Sequence, residues 1–275
     1  MQELLEEYLG FWDLSNPEII EETPTSHVYK VEKDQQPCVL KLYTALGRKH
    51  EATGPEFLKI CDSCSVVAVI EHNEGAALLE YIDGAELVTL IDSNKDEQAT
   101  RIIAQILNKI HRSPIPAAHN FKSLEEHMSA IFRHAKLDSP DIIKQAAPFA
   151  RELLDNQREI CLLHADMHHK NVMRHAQRGW LALDPQCAVG DRAYDCANTL
   201  HNPNKRADLT ENHERLIGQA AIMGQEMDIK PQRIIDFAYI HGCLSACWTK
   251  EDDGYYGEDA LKTSRILEKY ISRNK

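Results

Sequence analysis

The chain has 275 residues, a formal net charge of −12 and 43% hydrophobic residues, which is the composition of an ordinary globular protein. The excess of acid excludes a nucleic-acid binder with a basic footprint, and the apolar runs are too short to span a membrane. An acidic surface favours solubility and also attracts cationic substrates. The first residues, MQELLEEYLGFW, lack the basic start of a signal peptide, so we expect a cytoplasmic protein.

The eight cysteines do not form a recognisable metal or disulfide framework. Cys61 and Cys64 are the one close pair, and no second pair follows at the spacing of a zinc finger. Cys243 and Cys247 lie one helical turn apart among apolar residues. A chain of this length does not need disulfides to stabilise its core, so we expect reduced thiols, with Cys243 and Cys247 in the core.

The N-terminal third predicts a helix followed by an antiparallel sheet. Apolar residues at helical spacing predict a helix over residues 3–12. Period-two alternation bounded by turn residues predicts strands within 18–43, at 66–70 and at 76–82. In the strand at 38–43, alternation places Leu40 and Leu42 on one face and Lys41 on the other.

The rest of the chain has mainly helical periodicity, beginning after the break at Asp83-Gly84. The predicted helices are one that ends at Ile110-His111, one through Leu124, Met128, Ile131 and Phe132, one that starts at Ser139-Pro140-Asp141 with Ser139 as its cap, a long one from Ile234 to Trp248, and a last one from Leu261 to Ile271. The sequence therefore predicts an α+β fold with a domain boundary near residue 84.

Residues 161–198 depart from this helical pattern and contain a group of polar residues suited to catalysis. An apolar run at 161–163 leads into a loop with Asp166 and Asn171, and a second apolar run at 180–183 ends on Asp184. Two short strands separated by a turn at 177–179 would bring these three polar residues to one end of a hairpin.

These oxygen-bearing side chains are typical of a phosphoryl-transfer site. Carboxylate and amide oxygens suit Mg²⁺, a hard ion that also binds phosphates. Asn171 lies five residues after Asp166, the offset that separates the catalytic aspartate from the metal-binding asparagine in kinases. A remaining carboxylate, Asp166, can then accept the proton of a hydroxyl nucleophile.

The stretch from His164 to Asn171 resembles the catalytic loop of the aminoglycoside phosphotransferases, a branch of the protein-kinase-like fold. The continuation through Leu183-Asp184-Pro185 and Gly190-Asp191-Arg192-Ala193-Tyr194-Asp195 is similar to the aminoglycoside/hydroxyurea antibiotic-resistance kinases, which include streptomycin 6-phosphotransferases. This resemblance implies two lobes: a small antiparallel sheet that binds nucleotide at 1–84, and a larger helical lobe at 85–275 with the catalytic hairpin and the acceptor site.

The resemblance also implies roles for residues of the first lobe. Lys41 corresponds to the lysine that reaches the α- and β-phosphates of ATP. A glutamate should hold this lysine, and Glu51 is the first candidate, with Glu56 as the alternative. Backbone groups of Glu80–Ile82 would contact the adenine.

The turn that should cover the phosphates, at 23–27, contains no glycine, so the glycine-rich motif of protein kinases is absent. Ser26 is a candidate to donate a hydrogen bond to phosphate there. An ordinary turn stabilised by serine and threonine is the alternative. The family usually has glycine where this chain has Ala165, a substitution that is tolerated if φ is negative.

The combined prediction is an ATP-dependent phosphotransferase that moves the γ-phosphate to an alcohol group of a small molecule. The acidic composition is compatible with a cationic acceptor, and the resemblance implies an aminoglycoside such as streptomycin. Asp166 is the catalytic residue, and Asn171 and Asp184 bind Mg²⁺. Asp191 is expected to cap a helix and Asp195 to brace the loop. Two alternatives remain open: a pseudokinase without turnover, favoured by the glycine-free turn and by Ala165, and a metal-dependent hydrolase that uses His164, Asp166 and His168.

Overall fold

The computed structural model of the chain describes residues 1–272, apart from the side chain of His50. The strands are β1 (Ser15–Glu22), β2 (Ser26–Lys33), β3 (Gln36–Tyr43), β4 (Val69–His72), β5 (Ala76–Glu80), β6 (Lys122–Ser123), β7 (Ile160–Leu163), β8 (Val172–His175), β9 (Gly179–Ala182) and β10 (Ala188–Asp191). The α-helices are α1 (Gln2–Phe11), α2 (Ala45–His50), α3 (Gly54–Ile60), α4 (Val88–Asp92), α5 (Asp96–Ile110), α6 (Leu124–His127), α7 (Ser129–His134), α8 (Asp141–Asp155), α9 (Ala197–Leu200), α10 (Ala207–Thr210), α11 (His213–Met227), α12 (Pro231–Asp253) and α13 (Glu258–Leu267).

The chain divides into two compact units, and each consists of two segments. The first unit contains residues 1–85 and 173–186, and the second contains residues 86–172 and 187–275. The sequence analysis assigned residues 173–186 to the helical lobe. They lie with the sheet instead because Val67 donates its backbone N–H to Ala182 O at 2.9 Å and Arg174 donates to Ala85 O at 3.0 Å.

The first unit is built on an antiparallel sheet with the strand order β1-β2-β3-β5-β4. Alternation in β3 buries Cys38, Leu40 and Leu42 on one face, as predicted, and places Lys41 on the other. Helix α1 covers the apolar face with Leu5 and other residues of its buried stripe. Tyr8 of this helix also donates a hydrogen bond from its Oη to Asn73 Oδ1 at 2.7 Å.

The predicted hairpin at 161–184 has different strand partners from those expected. The run at 161–163 belongs to β7, which pairs with β10, while β9 pairs with β8. Strand β8 was not recognised because its four residues include one basic and one histidine side chain and show no apolar alternation. The corrected topology places Asn171 directly before β8 and Asp184 two residues after the end of β9.

The second unit is helical around α12, which is buried along most of its length. This helix starts with Pro231 at its first position and ends at Gly254, whose φ of 83° satisfies the left-handed cap. Helices α8, α9, α11 and α13 pack against it, and β6, β10 and β7 form a small sheet beside it. The long helix and the last helix of the sequence analysis are therefore both present.

Two details of the predicted helices differ. The single helix expected through Phe132 is split into α6 and α7 at Met128. At the start of α8 it is Pro140, with no side-chain hydrogen bond, that occupies the cap position expected for Ser139. Within residues 1–272, no helix has the length and apolar character needed to cross a membrane. Cys61 is buried and Cys64 exposed, and all eight cysteines are thiols.

Two helical glycines provide a matched test of this packing. A Cβ at Gly47 in α2 would lie 1.9 Å from the backbone oxygen of Thr25, whereas a Cβ at Gly218 in α11 would meet nothing within 4 Å. Gly218→Ala should raise the free energy of unfolding by up to about 1 kcal/mol, because alanine favours a helix. Gly47→Ala should lower the free energy of unfolding by about 1–3 kcal/mol, because the backbone near Thr25 must move to make room for the methyl group. Denaturant unfolding measures both, and a stabilised Gly47→Ala variant would contradict the structure.

Candidate functional site

A buried lysine and two carboxylates form the chemical centre of the first unit. Lys41 Nζ lies 2.7 Å from Glu51 Oε2 and also forms a hydrogen-bonded ion pair with Asp184. Glu51 thus contacts the lysine, while Glu56 is exposed on α3. Glu51 follows the end of α2 and is not inside a helix, so its position depends on the turn between α2 and α3.

The charges in this cluster stabilise one another. Burial alone would lower the pKa of Lys41, but the adjacent carboxylates of Asp184 and Glu51 outweigh burial and raise that pKa above its ordinary value. Lys41 is therefore a fixed cation at every physiological pH. A fixed, buried ammonium group is suited to binding phosphate oxygens.

Asp184 has an unusual backbone conformation. Its φ is 58°, although it precedes Pro185 and residues before proline favour extended backbone. Left-handed backbone at a non-glycine residue costs roughly 1–2 kcal/mol and is concentrated at functional sites. Its side chain is 47% exposed, so the carboxylate is accessible to a ligand.

The other candidate residues of the first unit are less clearly placed for nucleotide binding. Ser26 is buried, and its hydroxyl lies 3.3 Å from Thr23 Oγ1, whose oxygen also accepts the Ser26 N–H at 2.9 Å. The turn thus has the serine–threonine geometry that was the alternative. The amide of Glu80 already donates to Ala68 O at 3.0 Å, and Ile82 is buried. Their contacts with ATP stay predictions.

In the second unit, one buried carboxylate holds the loop that carries Asp166. Asp195 accepts hydrogen bonds from the backbone N–H groups of His164 at 2.8 Å and Ala165 at 2.6 Å. His111 Nε2 lies 2.9 Å from the same carboxylate. These contacts confirm that Asp195 braces the loop, and they show that His111 packs against the same carboxylate. Asp191 caps the next turn by accepting from Ala193 N at 3.0 Å, also as predicted.

The carboxylate of Asp166 contacts two amide side chains. Asn171 Nδ2 lies 3.3 Å from Asp166 Oδ2 and 3.0 Å from its backbone oxygen. Asn198 Nδ2 donates to Asp166 Oδ1 at 2.7 Å. The sequence analysis paired Asp166 with Asn171 but missed Asn198, which lies 32 residues further along the chain in α9. No local pattern marks Asn198, because its position depends on how α9 packs.

Asp166 lies at the wall of a cavity of about 330 Å³ within the second unit. The cavity is lined by Asn198, Lys205, Trp248 and Asp259, among others. Its two carboxylates, Asp166 and Asp259, outnumber the single ammonium of Lys205. Such a cavity has the size of a small-molecule site and a negative balance that favours a cationic ligand.

The hydrolase alternative is not supported. Within residues 1–272, no group of three His, Cys, Asp or Glu side chains is arranged to hold a metal ion. His164 is completely buried, and its Nδ1 lies 3.3 Å from the backbone N of Asp166. His168 Nε2 lies 3.9 Å from Asp166 Oδ2.

Comparison with known proteins decides the family. Residues 11–254 match the aminoglycoside/hydroxyurea antibiotic resistance kinase family. The chain belongs to this family. It is therefore a kinase, that is, an ATP-dependent phosphotransferase with an alcohol group as acceptor.

Two relatives show the extent of the similarity. The kinase is 30% identical over 82% of its length to a streptomycin 3''-kinase of Klebsiella pneumoniae, covering 85% of that protein. It is 25% identical over 73% of its length to a streptomycin 6-kinase of Streptomyces griseus, covering 66% of that protein.

Solved structures confirm the protein-kinase-like fold of the kinase. The aminoglycoside phosphotransferase APH(4)-Ia superimposes with a TM-score of 0.70 at 15% identity, covering 100% of this chain and 99% of that one. The choline kinase LicA from Streptococcus pneumoniae gives a TM-score of 0.68 at 14% identity, covering 99% of each chain. At these identities the likeness concerns the fold alone.

The condition under which the sequence analysis considered Ala165 tolerable is not met. Ala165 has a φ of 63°, not the negative φ that would accommodate its methyl group easily. The two hydrogen bonds to Asp195 that flank this residue keep the backbone in that conformation. The loop therefore contains a strain of roughly 1–2 kcal/mol that glycine would not have.

Variants of Ala165 test this strain. Ala165→Gly relieves the left-handed conformation but loses a buried methyl group and adds freedom to the unfolded chain, so its unfolding free energy should stay within about 1 kcal/mol of the wild type. Ala165→Val should lose more than about 2 kcal/mol, because a β-branched residue at this φ is strongly disfavoured. Denaturant unfolding measures both. A valine variant as stable as the glycine variant would show that φ is not positive there.

Proposed function

We propose that the kinase transfers the γ-phosphate of ATP to a hydroxyl group of an aminoglycoside, with streptomycin as the first candidate. The observation that carries this proposal is the family match over residues 11–254 in a chain that keeps the paired Lys41 and the amide-bound Asp166. Two relatives bear the names of streptomycin kinases, for the 3'' and the 6 position. The hydroxyl that is modified is therefore part of the test.

Lys41 binds the α- and β-phosphates, and Glu51 holds it in place. The buried ion pair supports this role, because it fixes the ammonium group without competition from solvent. Ser26 and the backbone at Glu80–Ile82 contribute to the phosphate and adenine contacts. The Ser26 hydroxyl lies 3.3 Å from Thr23 Oγ1, and either oxygen can be the donor in that contact.

Asn171 and Asp184 are the residues that would hold Mg²⁺. An amide oxygen and an accessible carboxylate are hard oxygen ligands, which is the donor chemistry that Mg²⁺ selects when phosphates complete its coordination. When bound, the ion neutralises charge on the β- and γ-phosphates. Within the protein, the same carboxylate of Asp184 neutralises Lys41 until nucleotide arrives.

Asp166 orients the acceptor hydroxyl and accepts its proton. Its carboxylate lies at the wall of the cavity, so an acceptor bound there can present a hydroxyl to it. The transition state of phosphoryl transfer is loose, and most of the rate enhancement comes from positioning and charge neutralisation. The excess of carboxylates over ammonium groups in the cavity supports a cationic acceptor.

An ADP-release assay over a panel of aminoglycosides and simple alcohols tests the function. We expect streptomycin to stimulate ADP release well above the rate in ATP alone, and NMR of the product to show one phosphorylated hydroxyl. An Asp166→Asn protein, with the same shape but no base, is the matched control. ATP binding without stimulation by any acceptor would favour the pseudokinase alternative.

Nucleotide should stabilise the kinase against unfolding, and Lys41 should be necessary for this. Ligand at 100 times its Kd adds roughly 2.7 kcal/mol to the unfolding free energy. Lys41→Met should abolish the shift, and it should also destabilise the free protein by about 3 kcal/mol, because Glu51 is left buried without a partner. The double variant Lys41→Met/Glu51→Gln should recover stability without recovering the nucleotide shift. Differential scanning calorimetry separates the two effects, and an unchanged nucleotide shift in Lys41→Met would refute the role of Lys41.

Substitutions of Asp166 and of Asp184 should have different effects on turnover and on nucleotide binding. Asp166→Ala should reduce kcat by roughly 10²–10⁴-fold with nearly unchanged nucleotide affinity, because its role is confined to the transition state. Asp184→Ala should weaken nucleotide binding in the presence of Mg²⁺ and remove the difference between Mg²⁺ and EDTA. Isothermal titration with and without Mg²⁺ measures this, and steady-state kinetics measures kcat. Full phosphotransfer by Asp166→Ala would disprove its assignment as catalytic residue.

A further inference from the structure

A buried chain of hydrogen bonds runs from Asp166 into the core of the second unit. Asn198 Nδ2 lies 2.7 Å from Asp166 Oδ1, and Asn198 Oδ1 lies 3.1 Å from His241 Nε2. His241 Nδ1 lies 3.1 Å from Tyr194 Oη, which in turn lies 2.9 Å from His127 Nε2. Four separate segments of the second unit thus meet in one line that ends at the catalytic carboxylate.

We propose that Asn198 is a positioning residue for Asp166 and that the chain through His241, Tyr194 and His127 locks the Asn198 amide in the orientation that donates to it. This inference rests on the proposed function of Asp166 as the catalytic base. The role of this chain of hydrogen bonds is to present one Asn198 N–H group to one oxygen of the Asp166 carboxylate.

The direction of every bond in the chain follows from the charge of Asp166. A carboxylate only accepts, so Asn198 must present its NH₂ group to it and its amide oxygen to His241. Asn202 Nδ2 lies 2.9 Å from the same amide oxygen, which agrees with this orientation. His241 Nε2 must then carry a proton, and its Nδ1 is left as an acceptor.

The remaining links are determined in the same way. Since neutral His241 accepts at Nδ1, the Tyr194 hydroxyl donates to it. The Tyr194 oxygen then accepts from His127 Nε2, which must be protonated. A reversed Asn198 amide would place its oxygen 2.7 Å from a carboxylate oxygen and would leave the Asn202 and His241 donors facing NH₂.

Burial keeps the members of the chain uncharged. It lowers the pKa of His241 well below its ordinary value and lowers that of His127 to about 4, where the charge of Lys122 acts in the same direction. Burial also raises the pKa of Tyr194. An uncharged histidine has one donor and one acceptor nitrogen, so the chain has a single consistent pattern of protons.

This arrangement explains how the Asp166 carboxylate is held in one orientation. Oδ1 accepts the close hydrogen bond from Asn198, while Oδ2 lies 3.3 Å from Asn171 Nδ2 and 3.9 Å from His168 Nε2. The short Oδ1 contact restricts rotation of the carboxylate. A small misalignment of a catalytic group lowers the rate by as much as about 10²-fold. Restricting this rotation should therefore have a measurable effect on kcat.

Two variants of Asn198 distinguish donation from packing. Asn198→Asp keeps the shape but replaces the donor with a carboxylate, and Asn198→Ala removes both. We expect kcat to fall roughly ten- to a hundred-fold in both variants, with unchanged KM for ATP and a melting temperature that keeps both folded at the assay temperature. Asn156→Ala, which removes one hydrogen bond to Glu152 O on an exposed surface, is the matched control and should keep wild-type kcat. An Asn198→Asp protein with wild-type kcat would overturn the proposal.

A second measurement is independent of turnover. Long-range ¹H–¹⁵N NMR of the wild-type protein should show His241 and His127 as neutral rings protonated at Nε2. In Asn198→Ala, His241 should lose this preference for Nε2, because its acceptor is gone. A wild-type His241 protonated at Nδ1, or doubly protonated at neutral pH, would overturn the chain. Because the spectrum needs no acceptor, this outcome is separate from any failure to phosphorylate streptomycin.

Discussion

The loop that carries Asp166, the proposed catalytic base, depends on one buried carboxylate. Asp195 has no solvent exposure, and it is satisfied by two successive backbone N–H groups and by His111. Charge-assisted hydrogen bonds of this kind are about twice as strong as neutral ones, and a carboxylate buried without them would cost several kcal/mol. The loop conformation, including the left-handed Ala165, follows from satisfying this one side chain.

The two compact units use buried charge for different purposes. In the first unit, Lys41 is held between Glu51 and Asp184, an arrangement that suits the phosphate-binding role proposed for it. In the second, Asp166 is partly accessible and contacts two neutral amides, an arrangement that suits the base proposed there. Ion pairing suits a binding group, whereas neutral hydrogen bonds suit a group that must accept a proton.

The strain at Ala165 and Asp184 fits this division. Both residues have positive φ. Ala165 directly precedes Asp166, the proposed base, and Asp184 is itself a proposed Mg²⁺ ligand. Strained backbone persists only where the surroundings determine it from several sides. Here the surroundings are the Asp195 hydrogen bonds for Ala165 and the ion pair with Lys41 for Asp184.

The sequence by itself determined the elements whose signals are local. Alternation in β3 predicted which side of the strand Lys41 occupies, and the spacing of Asp166 and Asn171 predicted that they share one polar loop, because both depend on neighbours within a few residues. The tertiary structure decided the rest: the partner of β7, the positive φ of Ala165 and the contact of Asn198 with Asp166. Each of these depends on packing between residues 25 to 32 positions apart, and no periodicity or spacing along the chain records such contacts.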